Sequence, residues 1–193
     1  MMNRLPMARA AREAGFEVHV ATRVDRGAKA IEAEGFILHR MPFRRGGLSP
    51  FATIPAIMAL RRLENEIRPQ IVHHVGLQCC AFGSVAALGE KIPLVNAITG
   101  LGYIFTSITW RTRFLKRIIA MLLPRLLNGR HSVVLVQNPD DRAALVALGV
   151  ESERTVLIPG SGVDADALQP LAEPDGPITM GFAGRLLADK GIA

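Results

Sequence analysis

Pro93–Ser107 has the sequence PLVNAITGLGYIFTS, and it decides how the rest of the chain is arranged. Its first half is a short apolar run that ends at Ile98, and a turn with two glycines, Thr99–Gly102, follows at once. In open α/β sheets, ligands bind beyond the carboxyl ends of buried strands, where glycines let the backbone approach closely. The stretch therefore indicates either a ligand-binding edge of a parallel sheet or a plain strand-to-helix turn.

Short apolar runs alternate with helical segments on both sides of this stretch. Apolar periodicity, capping residues and Gly or Pro stops predict strands over 16–21, 36–40, 70–75, 92–98, 132–137, 155–158 and 178–183. The same signals predict helices over 4–14, 28–34, 50–67, 77–88, 106–127 and 139–148. Such alternation predicts an α/β fold with a doubly wound, mostly parallel sheet.

The two ends of the pattern are unusual for a doubly wound domain. The pattern begins with a helix, so we expect the first strand of the domain to be missing. We predict one domain over 1–163, a linker over 164–177 with three prolines and four acids, and the start of a truncated second domain over 178–193. One hypothesis is that the apolar segment Ile178–Ala183 occupies the vacant position in the middle of the sheet.

Charge is distributed unevenly along the 193 residues. Residues 1–130 hold 19 Lys and Arg against 8 Asp and Glu, whereas residues 131–193 hold 4 against 9. Gly35–Leu63 contains five arginines and no acid, and Lys91–Pro139 contains seven basic residues and no acid. This asymmetry predicts an anionic partner, and a lipid surface is favoured because one Tyr and one Trp offer nucleic acid little stacking.

Cysteine content and hydropathy limit the class of protein further. Cys79 and Cys80 are the only cysteines and are adjacent, so they cannot join distant segments, which favours a reducing compartment and two ordinary buried thiols. No apolar run approaches the roughly 20 residues of a membrane span, and no signal peptide is recognisable.

Four motifs in fixed order carry a resemblance to a known family. They are NAITGLGYIF from Asn96, QNPDD from Gln137, GSGVD from Gly160 and GRLLADKG from Gly184. Together they resemble the family 4 glycosyltransferases, which have two Rossmann-like domains in the GT-B fold. Within that family they look most like bacterial enzymes that extend lipid-linked oligosaccharides and surface polysaccharides. The resemblance covers nearly all of an N-terminal domain and only the beginning of a C-terminal one.

The resemblance implies a division of labour between the two domains. The N-terminal domain would receive the acceptor, and the C-terminal domain would hold a nucleotide-sugar donor, UDP-linked by expectation, with no cofactor and no metal. Arg185 and Lys190 match the pair that binds the donor diphosphate, and fixed cations would stabilise a departing dianion. Without the resemblance, the same pair would be an ordinary solvated charge pair at a helix start.

The resemblance also places residues on the acceptor side of the cleft, namely Thr99, Gly100, Leu101 and Gly102. Relatives often carry a histidine in this loop and this chain does not, so no catalytic base is assigned. His73 and His74 end another predicted strand, where adjacent side chains point to opposite faces, so at most one of them faces the cleft. A core or edge position is the alternative for both.

Other polar residues have structural explanations. Asn138, Asp140 and Asp141 are predicted to cap the helix that begins at Pro139, because acids are favourable at a helix N-terminus. Asp164 is expected to shape the turn between the two predicted domains.

The predicted basic helix over 106–127 suits a membrane surface. It places Arg111, Arg113, Lys116 and Arg117 beside several large apolar residues, as in helices that lie on anionic lipid. The alternative is a helix that covers the sheet and keeps a solvated basic face.

These expectations combine into one functional hypothesis. The chain resembles a glycosyltransferase that acts on a lipid-linked saccharide acceptor, peripheral at the inner, cytoplasmic face of the plasma membrane. Because most of the donor domain is not in the sequence, we predict that the isolated chain transfers nothing. One alternative is a non-catalytic acceptor-binding or membrane-docking half that needs a separate donor-domain partner. Another, more remote, is a dinucleotide-binding oxidoreductase, but no Gly-x-Gly-x-x-Gly motif follows a first strand in this sequence.

Overall fold

The structure is a computed structural model that describes residues 4–24, 27–43, 50–101, 121–160, 162, 165–166, 168–172, 175–177 and 181. Helices and strands alternate along the described chain. In order they are α1 (Leu5–Glu13), β1 (His19–Thr22), α2 (Ala28–Ala33), β2 (Ile37–Arg40), α3 (Pro50–Ile67), β3 (Val72–Val75), α4 (Leu77–Ala86), β4 (Leu94–Ile98), β5 (Ser132–Val136), α5 (Pro139–Ala147), a 3₁₀ turn (Ser152–Arg154) and β6 (Thr155–Leu157). Residues 121–127 are also helical.

Within the described residues the predicted elements agree with the observed ones apart from their ends, whereas most of the helix predicted over 106–127 and nearly all of the strand predicted over 178–183 lie outside the described residues. The strand predicted over 70–75 begins at Val72, because the parallel ladder starts where the Val72 N–H donates to the Pro93 carbonyl over 2.9 Å. Helix α3 begins at Pro50 and ends at Ile67, as the proline signals at both ends predict.

In the part of the chain that the structure describes, all strand pairs are parallel, in agreement with the predicted mostly parallel sheet, and they form two ladders. Strands β3, β4, β5 and β6 lie side by side in that order, and β1 pairs with β2. Among the described residues, β1 and β3 do not pair with each other. The segment proposed to lie between them, 178–183, falls outside the described residues except for Gly181, so that hypothesis stays a prediction.

Two apolar clusters hold the layers together. The larger one joins β4 and β5 to α4, α5 and the helical segment 121–127, and it contains Cys80, Ile98, Leu101, Leu123, Leu127, Val134, Val136, Leu145 and Val150. The smaller one joins α3 to α4 through Ala56, Leu60, Phe82 and Ala86, together with Met41 after β2. The helices thus fix the four-stranded sheet, and with it the position of its carboxyl edge.

Candidate functional site

The four parallel strands β3 to β6 end at one edge, and a loop leaves each strand there. The strands end at Val75, Ile98, Val136 and Leu157. Since ligands in open α/β sheets bind beyond the carboxyl ends of the strands, this edge is the candidate site.

Gly76 forms the loop between β3 and α4. Its φ of +88° is a conformation that L side chains rarely adopt, and its N–H donates to the Ala97 carbonyl over 2.8 Å. No side chain caps the N-terminus of α4, and its first turn carries no acid. The partial positive charge of this helix end therefore lies beside the edge without a built-in counter-charge.

The loop after β4 contains the residues predicted to face an acceptor. Thr99 and Gly100 are exposed, and Gly100 has a φ of +146° with open space where a side chain would begin. Leu101 is different, because its side chain is 4% exposed within the larger core cluster. The loop thus offers a ligand the Thr99 side chain and backbone groups, while the Leu101 side chain anchors it.

Asn138 and Asp141 form the start of α5 and hold the neighbouring loop. The Asp141 N–H donates to Asn138 Oδ1 over 2.7 Å, and Asn138 Nδ2 donates to Asp141 Oδ2 over 2.8 Å, so the predicted N-cap is confirmed. Asp141 Oδ1 also accepts a longer, 3.4 Å bond from the Leu101 N–H. These polar side chains connect two of the loops at the edge.

The two adjacent histidines of β3 point to opposite faces, as the strand geometry predicts. His74 is 6% exposed, and its Nδ1 lies 2.9 Å from Asn96 Oδ1, while its Nε2 has no partner among the described residues. His73 is half-buried on the other face, where burial and then the positive charge of Arg4 lower its pKa. Burial likewise lowers the pKa of His74, so both rings favour the neutral form.

Asn96 connects three strands through a buried polar chain. It is fully buried in β4, accepts from His74 of β3, and donates through Nδ2 to Ser132 Oγ of β5 over 2.9 Å. Ser84 of α4 donates to the same Asn96 oxygen over 3.5 Å. The chain fixes the relative positions of three strands, and sequence reasoning missed it, although one asparagine in an otherwise apolar strand was a usable signal.

The two cysteines are poor nucleophiles in this fold. Cys80 is fully buried and Cys79 half-buried, and burial raises the pKa of both thiols. The prediction of buried thiols is confirmed for Cys80.

The remaining predicted site residues lie outside the described residues. They are Gly102 of the loop, the basic residues Arg111, Arg113, Lys116 and Arg117, and the pair Arg185 and Lys190. Their roles, and the predicted closeness of Gly100 and Arg185, stay predictions. Among the described residues no helix is both long enough and apolar enough to cross a bilayer.

Comparison with known proteins identifies the family and supports the fold. The model of the glycosyl transferase 4-like domain matches residues 5–160. A search of curated proteins finds no significant match.

Several solved structures share the architecture at low sequence identity. A glycosyltransferase from Rickettsia africae has a TM-score of 0.62 at 14% identity, over 86% of this chain and 40% of its own. Anabaena HepE in complex with UDP-glucose has a TM-score of 0.58 at 16% identity, over 85% of this chain and 41% of its own. Acinetobacter baumannii MurG has a TM-score of 0.54 at 15% identity, over 88% of this chain and 43% of its own.

This chain thus spans about two fifths of the length of those proteins. At such identities the likeness establishes the fold, a Rossmann-like N-terminal domain of the GT-B type. The family match spans the four-stranded sheet and the loops at its carboxyl edge, so the chain belongs to the glycosyl transferase 4-like domain family.

Proposed function

We propose that this chain is the acceptor-side domain of a glycosyltransferase that transfers a sugar from a nucleotide-sugar to a lipid-linked saccharide. One observation carries the proposal: the family match covers the parallel sheet whose carboxyl edge presents exposed, glycine-containing backbone. Exposed N–H and C=O groups and the Thr99 hydroxyl suit the hydroxyl groups of a saccharide, which both donate and accept hydrogen bonds.

The donor is proposed to be a UDP-linked sugar held by a domain beyond this edge. Anabaena HepE is described in complex with UDP-glucose, which supports this class of donor. In this chain Arg185 and Lys190 would contact the diphosphate, where fixed cations stabilise the leaving group. No metal or cofactor takes part in the proposal.

The acceptor is proposed to be anchored in the inner face of the plasma membrane by its lipid. Arg111, Arg113, Lys116 and Arg117 would contact anionic head groups, since juxtamembrane cations contribute about 1 kcal/mol each at such a surface. A lipid diphosphate would also suit the uncapped N-terminus of α4, which favours negative charge.

Acceptor binding by the 193-residue chain tests the proposal directly. The probe is a disaccharide linked to a short-chain prenyl diphosphate, titrated against the chain and against Gly100→Ala and Gly129→Ala variants. The Cβ that Gly100→Ala adds would contact no atom, but the alanine would be forced into a φ of +146°. We therefore expect about tenfold weaker binding, because the loop would be distorted. Gly129→Ala, which meets only ordinary contacts at 3.7 Å, is the control. Equal affinity in all three proteins would contradict the assignment of this edge.

Sugar transfer tests the division between domains. The chain is incubated with the same acceptor and radiolabelled UDP-sugars, with and without a separately produced donor domain of a relative. We expect no product from the chain alone, because its donor-binding groups are too few to enclose a nucleotide-sugar. Product from the chain alone would overturn this expectation, and product only with the second domain is the result that the proposed division between the two domains predicts.

A further inference from the structure

Two histidines of the β1–β2 ladder lie edge to edge across the two strands. His19 Nδ1 is 2.8 Å from His39 Nε2. The register pairs His39 with Ala21, two positions after His19, so both rings project from the same face of the ladder as diagonal neighbours. The ring planes are 11° apart and the ring centres 5.1 Å apart. Because that separation is the nitrogen–nitrogen distance plus a ring radius at each end, the rings are nearly coplanar and point one nitrogen at each other.

Glu17 determines which nitrogen of His19 carries the proton. Its Oε1 lies 2.9 Å from His19 Nε2. An ionised carboxylate can only accept, so Nε2 donates and Nδ1 of the neutral ring keeps a lone pair directed at His39. A carboxylate in this position is the common outer partner of a metal-bound histidine, because it orients the ring and raises the basicity of the ligating nitrogen.

His39 also favours the neutral form that a metal ligand requires. The ring is half-buried, and burial, followed by the charge that His19 carries when protonated, lowers the pKa of His39 against the opposing effect of Glu66. When the proton of neutral His39 is on Nδ1, its Nε2 has a lone pair as well. In that tautomer both facing nitrogens are free to bind one ion.

The distance between the two nitrogens matches that of adjacent ligands on a single metal ion. Imidazole nitrogens bind first-row dications at about 2.0 Å, and two such bonds at a right angle place the nitrogens about 2.8 Å apart. A right angle is typical of the square and tetragonal sites of Cu²⁺ and Ni²⁺. Rotation about χ2, which is broad for histidine, directs both lone pairs at an ion beside the line that joins the nitrogens.

The surroundings of the pair give an ion access to water. His39 is one of the residues that line a groove of about 960 Å³ between β2 and α3. Glu66 in this groove attracts a cation, whereas Arg40 and Arg62 repel it. Over the described ranges no three His, Cys, Asp or Glu side chains converge on one ion, so water would complete the coordination. Affinity would therefore depend on the two imidazoles rather than on the local charge.

We infer that His19 and His39 form a two-histidine site for a divalent transition-metal ion that prefers imidazole, with Glu17 as the outer partner of His19. A bound ion cross-links β1 and β2 and stabilises the folded chain. The site lies on a ladder separate from β3–β6, whose carboxyl edge is the candidate acceptor site. The ion has no part in the proposed sugar transfer, and the inference does not depend on that function.

Metal titration of the chelator-treated 193-residue chain tests the site. Calorimetry with the chlorides of Ni²⁺, Zn²⁺, Cu²⁺ and Mg²⁺ should give one tight site for the transition metals, with Cu²⁺ the tightest, and no binding of Mg²⁺, which prefers oxygen ligands. The electron paramagnetic resonance spectrum of bound Cu²⁺ should show couplings to two imidazole nitrogens. We expect His19→Gln and His39→Gln each to weaken Ni²⁺ binding about a hundredfold, because each variant leaves a single imidazole.

Two further variants separate this site from other histidines. His131→Gln removes an exposed histidine outside the pair and is the matched control, with no change in affinity expected. Glu17→Gln keeps both ligands and should weaken binding about tenfold, at the low end for outer partners because the Glu17 side chain is 76% exposed. Circular dichroism checks that every variant folds.

Ni²⁺ should also raise the melting temperature of the parent chain and of His131→Gln, but not of His19→Gln. Equal Ni²⁺ affinity in the parent, His19→Gln and His39→Gln would overturn the inference, and so would a Cu²⁺ spectrum with a single nitrogen coupling. Either result would mean that the pair is only a hydrogen bond between two histidines. Neither donor nor acceptor is present in these titrations, so their outcome is independent of the proposed function.

Discussion

Replacing Glu64 of α3 by glutamine should stabilise the protein at alkaline pH and leave it nearly unchanged at acid pH. Glu64 is 6% exposed, and neither carboxyl oxygen has a hydrogen-bond partner among the described residues. Burial raises its pKa from 4.5 to about 7, against the opposing effect of Arg61 and with a contribution from Glu90. The folded protein therefore binds the Glu64 proton more tightly than the unfolded chain does.

The direction and size of the effect follow from this difference. Well below pH 4.5 the carboxyl is protonated in both states, so its ionisation contributes nothing to the free energy of unfolding. As the pH rises toward 7, ionisation of Glu64 stabilises the unfolded chain more than the folded protein. Above pH 7 the free energy of unfolding is lowered by the full penalty of about 3 kcal/mol. Glutamine has the same shape without the charge, so the penalty is absent at every pH.

Urea unfolding of the parent and of Glu64→Gln at a series of pH values measures this penalty. We expect the variant to be more stable by about 3 kcal/mol at pH 8.5 and by less than about 1 kcal/mol at pH 5. Glu66→Gln, at an exposed position on the same helix, should give a small difference. A Glu64→Gln protein that is less stable at pH 8.5, or whose difference does not change with pH, would refute the reasoning.

Three further predictions concern the buried polar chain and the start of α5. Gly83→Ala would place its Cβ 2.0 Å from His74 Nε2 and displace the ring, so we expect a loss of about 3 kcal/mol in urea unfolding, against little change for Gly129→Ala. A normal stability for Gly83→Ala would mean that the ring does not lie there. In ¹⁵N NMR, His74 should be neutral with its proton on Nδ1, and an Nε2–H tautomer would contradict the network. Because burial lowers the pKa of His74, the free energy of unfolding should fall as the pH drops below the ordinary histidine pKa of 6.5. Asn138→Ala removes the cap of α5 and should cost about 1 kcal/mol in thermal unfolding, and an unchanged melting temperature would contradict the role given to the cap.

Much of the fold could be predicted from the sequence because its signals are local. Pro50 and the Arg68-Pro69 pair bound α3 through the fixed geometry of proline, and Asn138 caps α5 through a residue only three positions away. Parallel pairing also follows from the pattern, since each strand is separated from the next by a crossover. The family and the loop at Thr99 and Gly100 could be predicted from the sequence for the same reason, because both depend on motifs that are contiguous in the chain.

Other features depend on contacts between residues far apart in the chain. Asn96 bonds His74 and Ser132, which lie 22 and 36 positions away, so its role required the sheet to be assembled. Glu64 looks like a solvated charge in sequence, but it lies on the same side of α3 as the buried Ala56 and Leu60, and the tertiary structure leaves it only 6% exposed.

Ile54 and Met58 show the opposite case, because their apolar character predicts burial while the tertiary structure leaves them exposed. The sequence by itself determined which segments form helices and strands, since backbone and capping preferences act over a few residues. The tertiary structure alone decided which side of each element meets another layer, because burial depends on neighbours supplied from distant parts of the chain.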